Sequence, residues 1–200
     1  TAWAAQPVSE TFPVGPGAEV DIDVLSGTVT IVAGSGGLVE VTGTLGDGVE
    51  SLEIDGDEDG VYIEVEYDEH YHGKQQVDTD LTIRVPAGVV LSVETVSASI
   101  SVDGVTGELD LETVSGNVEI ATMPAALDIE TVSGNISVAS APADSDVSSV
   151  SGHIEIQAAG GSIDVENVSG KTMIYGGFID DGDLESVSGD ITCHAIPGPD

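Results

Sequence analysis

The sequence of 200 residues has very few positive charges: 3 Lys or Arg stand against 37 Asp or Glu, a formal net charge of −34. Nucleic-acid backbones are bound by clustered Lys and Arg, so this balance excludes nucleic-acid binding. It also argues against direct binding to an anionic membrane, which needs basic side chains. Arg84 is the one arginine in the sequence, so no site can clamp a phosphate or carboxylate with several guanidinium groups.

Cysteine, aromatic residues and long apolar runs are also scarce. Cys193 stands alone, which excludes an intrachain disulfide and a cysteine-based zinc site. Aromatic residues make up 4% of the sequence, which leaves little surface on which sugar rings could stack. No run of about 18 apolar residues occurs, so the sequence predicts no membrane-spanning helix.

The sequence is instead rich in a repeat of 18 residues. The string Val-Ser-Gly-x-Ile/Val-x-Ile/Val recurs in six copies, with Ala98 replacing the glycine in the first copy. Its first Val stands at Val96, Val114, Val132, Val150, Val168 and Val187, so the spacings are 18, 18, 18, 18 and 19 residues. Apolar and polar residues alternate on both sides of the Ser-Gly step, which is the period of half-buried strands. One such unit cannot bury its own apolar face, so the copies must stack on one another.

We therefore predict an all-β fold with almost no helix: a single-stranded parallel β-helix, or β-solenoid, with 18-residue rungs about 4.8 Å apart. We expect a right-handed coil; a left-handed coil and an antiparallel sandwich are the alternatives. Ile129 and Ile136 are predicted to point inward, and each Ser-Gly step is read as a corner whose glycine adopts a positive φ. A third side of the coil is predicted at Val105, Met123, Ala141, Ala159 and Phe178.

The regularity of the repeat suggests four parts of the chain. Residues 1–13 are an N-terminal extension, read as the remnant of a signal region, and residues 14–90 form an irregular β part that caps the solenoid. Residues 91–194 hold the regular repeats and residues 195–200 a C-terminal tail. Within the irregular part, residues 20–31 fit the repeat template and predict an early rung. Further strands are predicted at 38–42, 51–54, 61–67 and 80–85.

Several motifs together resemble a known family. They are Leu81-Thr82-Ile83-Arg84-Val85-Pro86, the early Leu25-Ser26-Gly27-Thr28, and the repeated Thr-Val-Ser-Gly-Asn. These are similar to the bacterial putative-adhesin family, envelope proteins with β-strand repeats, over about residues 14–194. The resemblance implies an exported β-helix without known catalysis, and it supplies no catalytic residue. Ala2-Trp3-Ala4 also resembles a signal-peptidase site, so we expect a periplasmic, cell-surface or extracellular protein.

Acidic residues occupy two fixed places in the repeat. Asp110, Asp128, Asp146, Asp164 and Asp183 stand four residues before the repeat Val, and Glu94, Glu112, Glu130, Glu166 and Glu185 stand two before it, with Ser148 interrupting. Both places alternate with apolar ones, so both sets point outward and stack into columns about 5 Å apart along the coil. The columns are either a strip for divalent cations or a cationic polymer, or a solvated face that prevents sheet aggregation.

Two local motifs suggest metal ligands. Residues 55–66 fit the calcium-loop pattern D-x-D-x-D-G-x₅-E, with Asp55, Asp57 and Asp59 as its first ligands. However, residues 61–67 alternate like a strand, which would place Glu66 about 20 Å from the turn, so we expect a hairpin turn. His70-x-His72 could place two imidazoles on one face, but no third ligand is identifiable in this polar stretch.

The repeated serines and asparagines are interpreted as structural. No His–acid partner recurs with the serines, so none is predicted as a nucleophile; we expect them to hydrogen-bond along the corner. Asn117 and Asn135 are expected to form a short amide ladder. We predict no catalytic, cofactor-binding or metal-binding residue.

The predicted function is that of a non-enzymatic envelope or secreted protein, a scaffold or adhesin-like interaction module. Its expected partners are an envelope or extracellular protein or a glycan, and the solenoid ends offer a surface for self-association. A calcium-dependent binding module that uses the acidic columns is the alternative. A polysaccharide-acting β-helix enzyme is least favoured, because a uniform ladder offers no distinct pair of carboxylates.

Overall fold

The computed structural model describes residues 6–68, 78–142 and 144–197. Over these residues the chain forms strands and turns but no helix, as the alternating pattern predicted. The described residues therefore contain no helix long and apolar enough to cross a membrane. The strands are β1 (Gln6–Pro13), β2 (Glu19–Gly34), β3 (Leu38–Leu45), β4 (Val49–Gly56), β5 (Gly60–Tyr67), β6 (Asp80–Pro86), β7 (Val90–Asp103), β8 (Glu108–Thr113), β9 (Val118–Ile120), β10 (Ala126–Thr131), β11 (Ile136–Val138), β12 (Asp144–Ser151) and β13 (Ile154–Pro197). β13 is one extended segment that includes the last two copies of the repeat.

The repeats stack as parallel strands in register. In the first half of each repeat, β7, β8, β10, β12 and β13 pair in that order, so that Leu91 lies opposite Leu109 and Leu109 opposite Leu127. In the second half, β7, β9, β11 and β13 pair so that Ile100 lies opposite Val118. Paired residues are 18 positions apart in both halves, because identical copies place identical apolar residues on the same face.

The early copy at 20–31 takes part in the same stack. β2 pairs in parallel with β7 from Glu19 opposite Val90 to Val32 opposite Asp103. On its other side, the first half of β2 pairs with β5 and the second half with β6. The chain between β2 and β7 therefore leaves the stack and returns to build the rung that precedes β2 in space.

The N-terminal strands make the sheet mixed. β3 is antiparallel to both β1 and β6, and β4 is antiparallel to β5, within one sheet of 13 described strands. The predicted parallel β-helix therefore does not describe the whole sheet; for residues 14–90 the sequence predicted only an irregular β cap. The physical reason for β4 and β5 is the short connection Asp57–Asp59, which can join antiparallel neighbours but is too short for a parallel crossover.

The core lies between the stacked halves of the repeats. Ile129 and Ile136 are 0% and 1% exposed, which confirms their inward direction. Val105, Ala141 and Ala159 on the third side are buried as well, but Met123 and Phe178 are 59% and 58% exposed, so the prediction is wrong for these two. Met123 lies where the backbone bends at Thr122 and Ala125. Phe178 follows Gly176 and Gly177, both with positive φ, in the one repeat that is a residue longer.

Candidate functional site

The two predicted acidic columns are confirmed as far as Asp164 and Glu166, and the places of Asp183 and Glu185 in them stay a prediction. In the Asp column, Asp110, Asp128, Asp146 and Asp164 lie opposite one another on successive strands. In the Glu column, Glu94, Glu112 and Glu130 are followed by Ser148 and then Glu166. The structure extends the Glu column in the other direction, since Asp23 lies opposite Glu94, and Glu64 opposite Asp23. Sequence reasoning missed these two residues, although aligning the early copy with β7 would have found Asp23.

Carboxylates in the columns oppose one another's ionisation. Partial burial raises the pKa of Glu112, and repulsion from Glu94 and Glu130 raises it further. Partial burial likewise raises the pKa of Asp128, with added repulsion from Asp146 and Asp110. The ionised forms of Glu112 and Asp128 are therefore less favourable here than in an isolated side chain.

A third column, of apolar side chains, runs beside the Glu column and was not predicted. Its members share the place of the repeat Val and point outward: Leu25, Val96, Val114, Val132, Val150, Val168 and Val187. The five valines from Val96 to Val168 are 45–48% exposed. We call this set the Val column. A count of alternate positions from the inward Leu111 would have placed Val114 outside.

The residue before each of these valines is polar and points inward. Thr95, Thr113 and Thr131 are 4–6% exposed. The hydroxyl of Thr95 donates to the Thr113 hydroxyl at 2.8 Å, while the buried hydroxyls of Thr131 and Ser149 have no hydrogen-bond partner among the described residues. The usual polar-outside pattern is thus inverted at the corner: threonine lies inside and valine outside.

A groove of about 430 Å³ lies between the Glu and Val columns. Glu94, Glu112 and Glu130 contribute to it from one side, and Val96, Val114 and Val132 from the other. It extends from Asp23 to the rung of Ser148 and Val150. A second groove is also lined by glutamate on one side and valine on the other. It lies between the rung of Glu166 and Val168 and the rung of Glu185 and Val187. The corner therefore displays one surface chemistry in consecutive copies.

Close stacking explains the corner glycines. A Cβ on Gly134 would lie 1.8 Å from the Gly116 carbonyl oxygen of the rung before, and one on Gly152 would lie 1.9 Å from the Gly134 oxygen. These three glycines do not have positive φ, so the predicted reason is wrong for them; it does apply to Gly170, at φ 146°. Ile129 and Ile136 both point inward although they are an odd number of positions apart. The alternation is interrupted just before the glycine, where two consecutive residues, Val132 and Ser133, both point outward.

The residue after each corner glycine links successive rungs. The backbone N–H of Asn135 donates to Asn117 Oδ1, and the N–H of His153 donates to Asn135 Oδ1, both at 3.1 Å. The N–H of Lys171 donates to His153 Nδ1 at 3.1 Å. Side chains thus accept from backbone rather than from the side-chain amides that the predicted ladder required.

The repeated serines also bond to backbone. Ser97 Oγ donates to the Leu25 carbonyl, and Ser169 Oγ to the Val150 carbonyl, both at 3.2 Å. In each case the acceptor belongs to the rung before, which agrees with the expected structural role along the corner.

The calcium-like motif forms the hairpin turn between β4 and β5. Asp57 Oδ1 accepts the backbone N–H groups of Asp59 at 2.8 Å and Gly60 at 3.3 Å. Glu66 lies at the far end of β5, where it accepts a hydrogen bond from Ser51 Oγ at 2.6 Å. Over the described ranges, no three His, Cys, Asp or Glu side chains are arranged to hold a metal ion. His70 and His72 lie outside those ranges.

Comparison with known proteins supports the fold. Residues 18–196 match the family described as Toastrack DUF4097. No curated protein is significantly similar to the chain. A crystal structure of a putative adhesin from Bacteroides fragilis matches with a TM-score of 0.55 and 15% identity, over 96% of this chain and 97% of that one. A putative cell adhesion protein from Clostridium sporogenes gives a TM-score of 0.46 and 10% identity, over 96% and 100% of the two chains. The first of these has the same fold as this chain.

Proposed function

Because the chain belongs to the Toastrack DUF4097 family, whose structural relatives include a putative adhesin, we propose that it is a non-catalytic, adhesin-like interaction module. One observation carries this proposal: the groove between the Glu and Val columns displays the same side chains on consecutive rungs. Such a surface suits contact with a repetitive partner, since each rung adds one similar contact.

The scaffold in this proposal is a right-handed β-solenoid with 18-residue rungs. The in-register pairing of Leu91, Leu109 and Leu127 supports the rung length. A solenoid of this kind is rigid along its axis, because every rung is hydrogen-bonded to the next. The groove is therefore already ordered before a partner binds, and binding carries no entropy cost for ordering a loop.

Absence of catalysis is part of the proposal. An enzyme that uses carboxylates as acid and base needs one pair in distinct surroundings. Glu94, Glu112 and Glu130 instead occupy equivalent places on successive strands, which supports a binding role.

Export to the periplasm, the cell surface or the medium is also proposed. The adhesin description of the B. fragilis relative supports it. An epitope-tagged natural precursor, expressed in its own host, should appear in the envelope or medium fraction; recovery in the cytoplasm would contradict this part of the proposal.

The binding function is tested with beads that carry the purified chain. The beads are exposed to arrays of envelope glycans and extracellular proteins, next to beads that carry an unrelated protein of matched net charge. We expect saturable retention of a ligand that mass spectrometry recovers unchanged. Chemical conversion of the ligand, or retention no greater than on the charge-matched beads, would reject the proposed function.

Calcium dependence is a second candidate. Burial is the main cause of the raised pKa of Asp128, and repulsion from Asp146 and Asp110 raises this pKa further. A divalent counter-ion would relieve the repulsive part. The measurement that separates this candidate from simple screening is a thermal melt in CaCl₂ and NaCl at matched ionic strength.

A further inference from the structure

The Val column presents half-exposed apolar side chains on successive rungs. Scattered apolar residues are normal on protein surfaces, whereas a contiguous apolar strip marks an interaction site. We propose that the groove between the Glu and Val columns binds an extended peptide segment rich in Lys or Arg, which lies along the stack of rungs. This inference rests on the proposed function and names the partner of the same surface.

The two walls of the groove match the two parts of a basic side chain. Lys and Arg have an apolar stem and a cationic head. Glu112 and Val114 both point outward from one rung, two residues and so about 7 Å apart along the strand. A basic side chain that reaches into the groove can pack its stem on valine methyl groups and place its charge beside the carboxylates.

In the described part of the chain, no positively charged side chain forms an ion pair with the Glu column. Over residues 6–68, 78–142 and 144–197, neither a hydrogen bond nor an ion pair engages the carboxylates of Glu94, Glu112 or Glu130. Arg84 is paired elsewhere: its Nε lies 4.0 Å from Glu40 Oε2. Charge complementarity therefore selects a cationic occupant, and a net charge of −34 disfavours a second copy of this chain.

The length of the groove sets the length of the peptide. Its five rungs, from Asp23 to Ser148, span four strand spacings, or about 19 Å. An extended chain at about 3.3 Å per residue covers this distance with about six residues, of which three face the groove. Ser148, the uncharged member of the Glu column, marks the end of the site.

A peptide fits better than a cationic polysaccharide. The amine of an amino sugar is surrounded by hydroxyl groups, and a wall of valine methyl groups gives these no hydrogen-bond partner. An extended peptide can turn its backbone polar groups towards solvent while its basic side chains point into the groove. The polysaccharide is the competing outcome of the experiment below.

The experiment measures fluorescence anisotropy of a labelled peptide of four Lys-Thr repeats added to the full chain. A Glu-Thr peptide and a labelled chitosan oligomer serve as comparison probes. We expect saturable binding of the Lys-Thr peptide that weakens at least about tenfold when NaCl is raised from about 50 to 500 mM, because screening shortens the range of each charge. The paired substitutions Glu112→Gln with Glu130→Gln, and Val114→Thr with Val132→Thr, should each weaken binding at least about threefold. Threonine keeps the branched shape of valine and so preserves the strand.

The matched control is Asp110→Asn with Asp128→Asn. It removes the same charge from the same two rungs but outside the groove, so binding of the peptide should weaken clearly less than in the Glu pair. Equal weakening by the Asp and Glu pairs would show general charge attraction and overturn the proposal. Unchanged binding in the valine variant, tighter binding of chitosan than of peptide, or no saturable binding would also overturn it.

Failure of this inference can be distinguished from failure of the proposed function. A chain that retains some other ligand on the beads, but shows no groove-dependent peptide binding, is an interaction module whose partner is not a basic peptide. Circular dichroism melts of each variant establish that any loss of binding occurs in folded protein.

Discussion

Removal of one carboxylate from the middle of the Glu column should stabilise the protein. Glu112 lies in register between Glu94 and Glu130, about 4.8 Å from each by strand spacing. Two unit charges about 5 Å apart repel by about 0.8 kcal/mol in water. At physiological ionic strength, with a Debye length of about 8 Å, each of the two repulsions falls to about 0.45 kcal/mol. Glu112→Gln should therefore raise the free energy of unfolding by about 0.9 kcal/mol.

Glu119 of the next strand provides the matched control. Its register neighbours are Ser101 and Ser137, and it is exposed like Glu112. Glu119→Gln removes the same charge seven residues further along the same repeat without relieving repulsion inside a column. We expect this variant to unfold within about 0.3 kcal/mol of wild type, as surface substitutions usually do.

The assay is thermal and urea unfolding followed by circular dichroism. A gain of about 0.9 kcal/mol should raise the Tm of Glu112→Gln by about 2–4 °C for a chain of this size. In about 1 M NaCl, where the Debye length is about 3 Å, most of this gain should vanish. Equal shifts for the two variants, or a gain insensitive to salt, would refute repulsion within the column as the cause.

Four further predictions follow from the same structure. The free energy of unfolding should increase as the pH falls from neutrality towards the ordinary carboxyl pKa. In that window the raised pKa values of Glu112 and Asp128 make the folded state bind more protons than the unfolded state. A Tm that decreases over the same pH range would contradict the columns. The Tm should rise with NaCl up to about 1 M, because salt screens the repulsion between carboxylates. If the columns bind calcium, CaCl₂ at equal ionic strength should add a further, saturable rise in Tm. A Tm that changes with neither salt would reject the stacked carboxylates. Ile129→Asp should unfold or aggregate the chain, since it buries an unpaired carboxylate at a cost of several kcal/mol, while Asp128→Ser should fold, as size-exclusion chromatography would show. Gly134→Ala should destabilise by about 1–3 kcal/mol in urea melts, because its Cβ would overlap the Gly116 carbonyl; wild-type stability would mean that the rungs can separate at no cost.

The stacking of the repeats could be predicted from the sequence because each copy specifies its own register. Leu109, Leu127 and their partners recur at the repeat length, and a slip by one residue would turn every apolar side chain outward. The N-terminal half has no such internal reference. The return of β5 and β6 to the far side of β2 depends on pairings across about 40–50 residues, for which no period in the sequence gives a signal.

The reason for the corner glycines could not be predicted, because it lies in the neighbouring rung. Positive φ is a property of one residue and can be guessed from its type, whereas the contact of Gly134 with the Gly116 carbonyl appears only after stacking. Ala98 shows the same dependence on the neighbouring rung. It lies opposite Gly27 of β2, whose φ is 122°, and at this one corner a Cβ is accommodated.

The candidate site was predicted in part. Both acidic columns follow from alternation alone, because Asp110 and Glu112 flank the inward Leu111. The groove was missed because Val114 was taken as part of a corner motif and not counted in the alternation. The apolar side chain of Val114 suggested an inward position, but the alternation along the strand places this side chain outside.

The inversion of Thr and Val at the corner connects the scaffold with the choice of partner. An inward threonine can hydrogen-bond along the stack, as Thr95 does with Thr113, whereas the hydroxyls of Thr131 and Ser149 have no such partner among the described residues. The outward valine has no such bond to make, and alone it would leave an apolar strip open to aggregation. The Glu column beside the strip changes that outcome, because another copy of this acidic chain is repelled before its valines can make contact. A cationic chain is attracted by the same field. The apolar wall therefore supplies contact area, and the charge beside it determines which molecule can use that area.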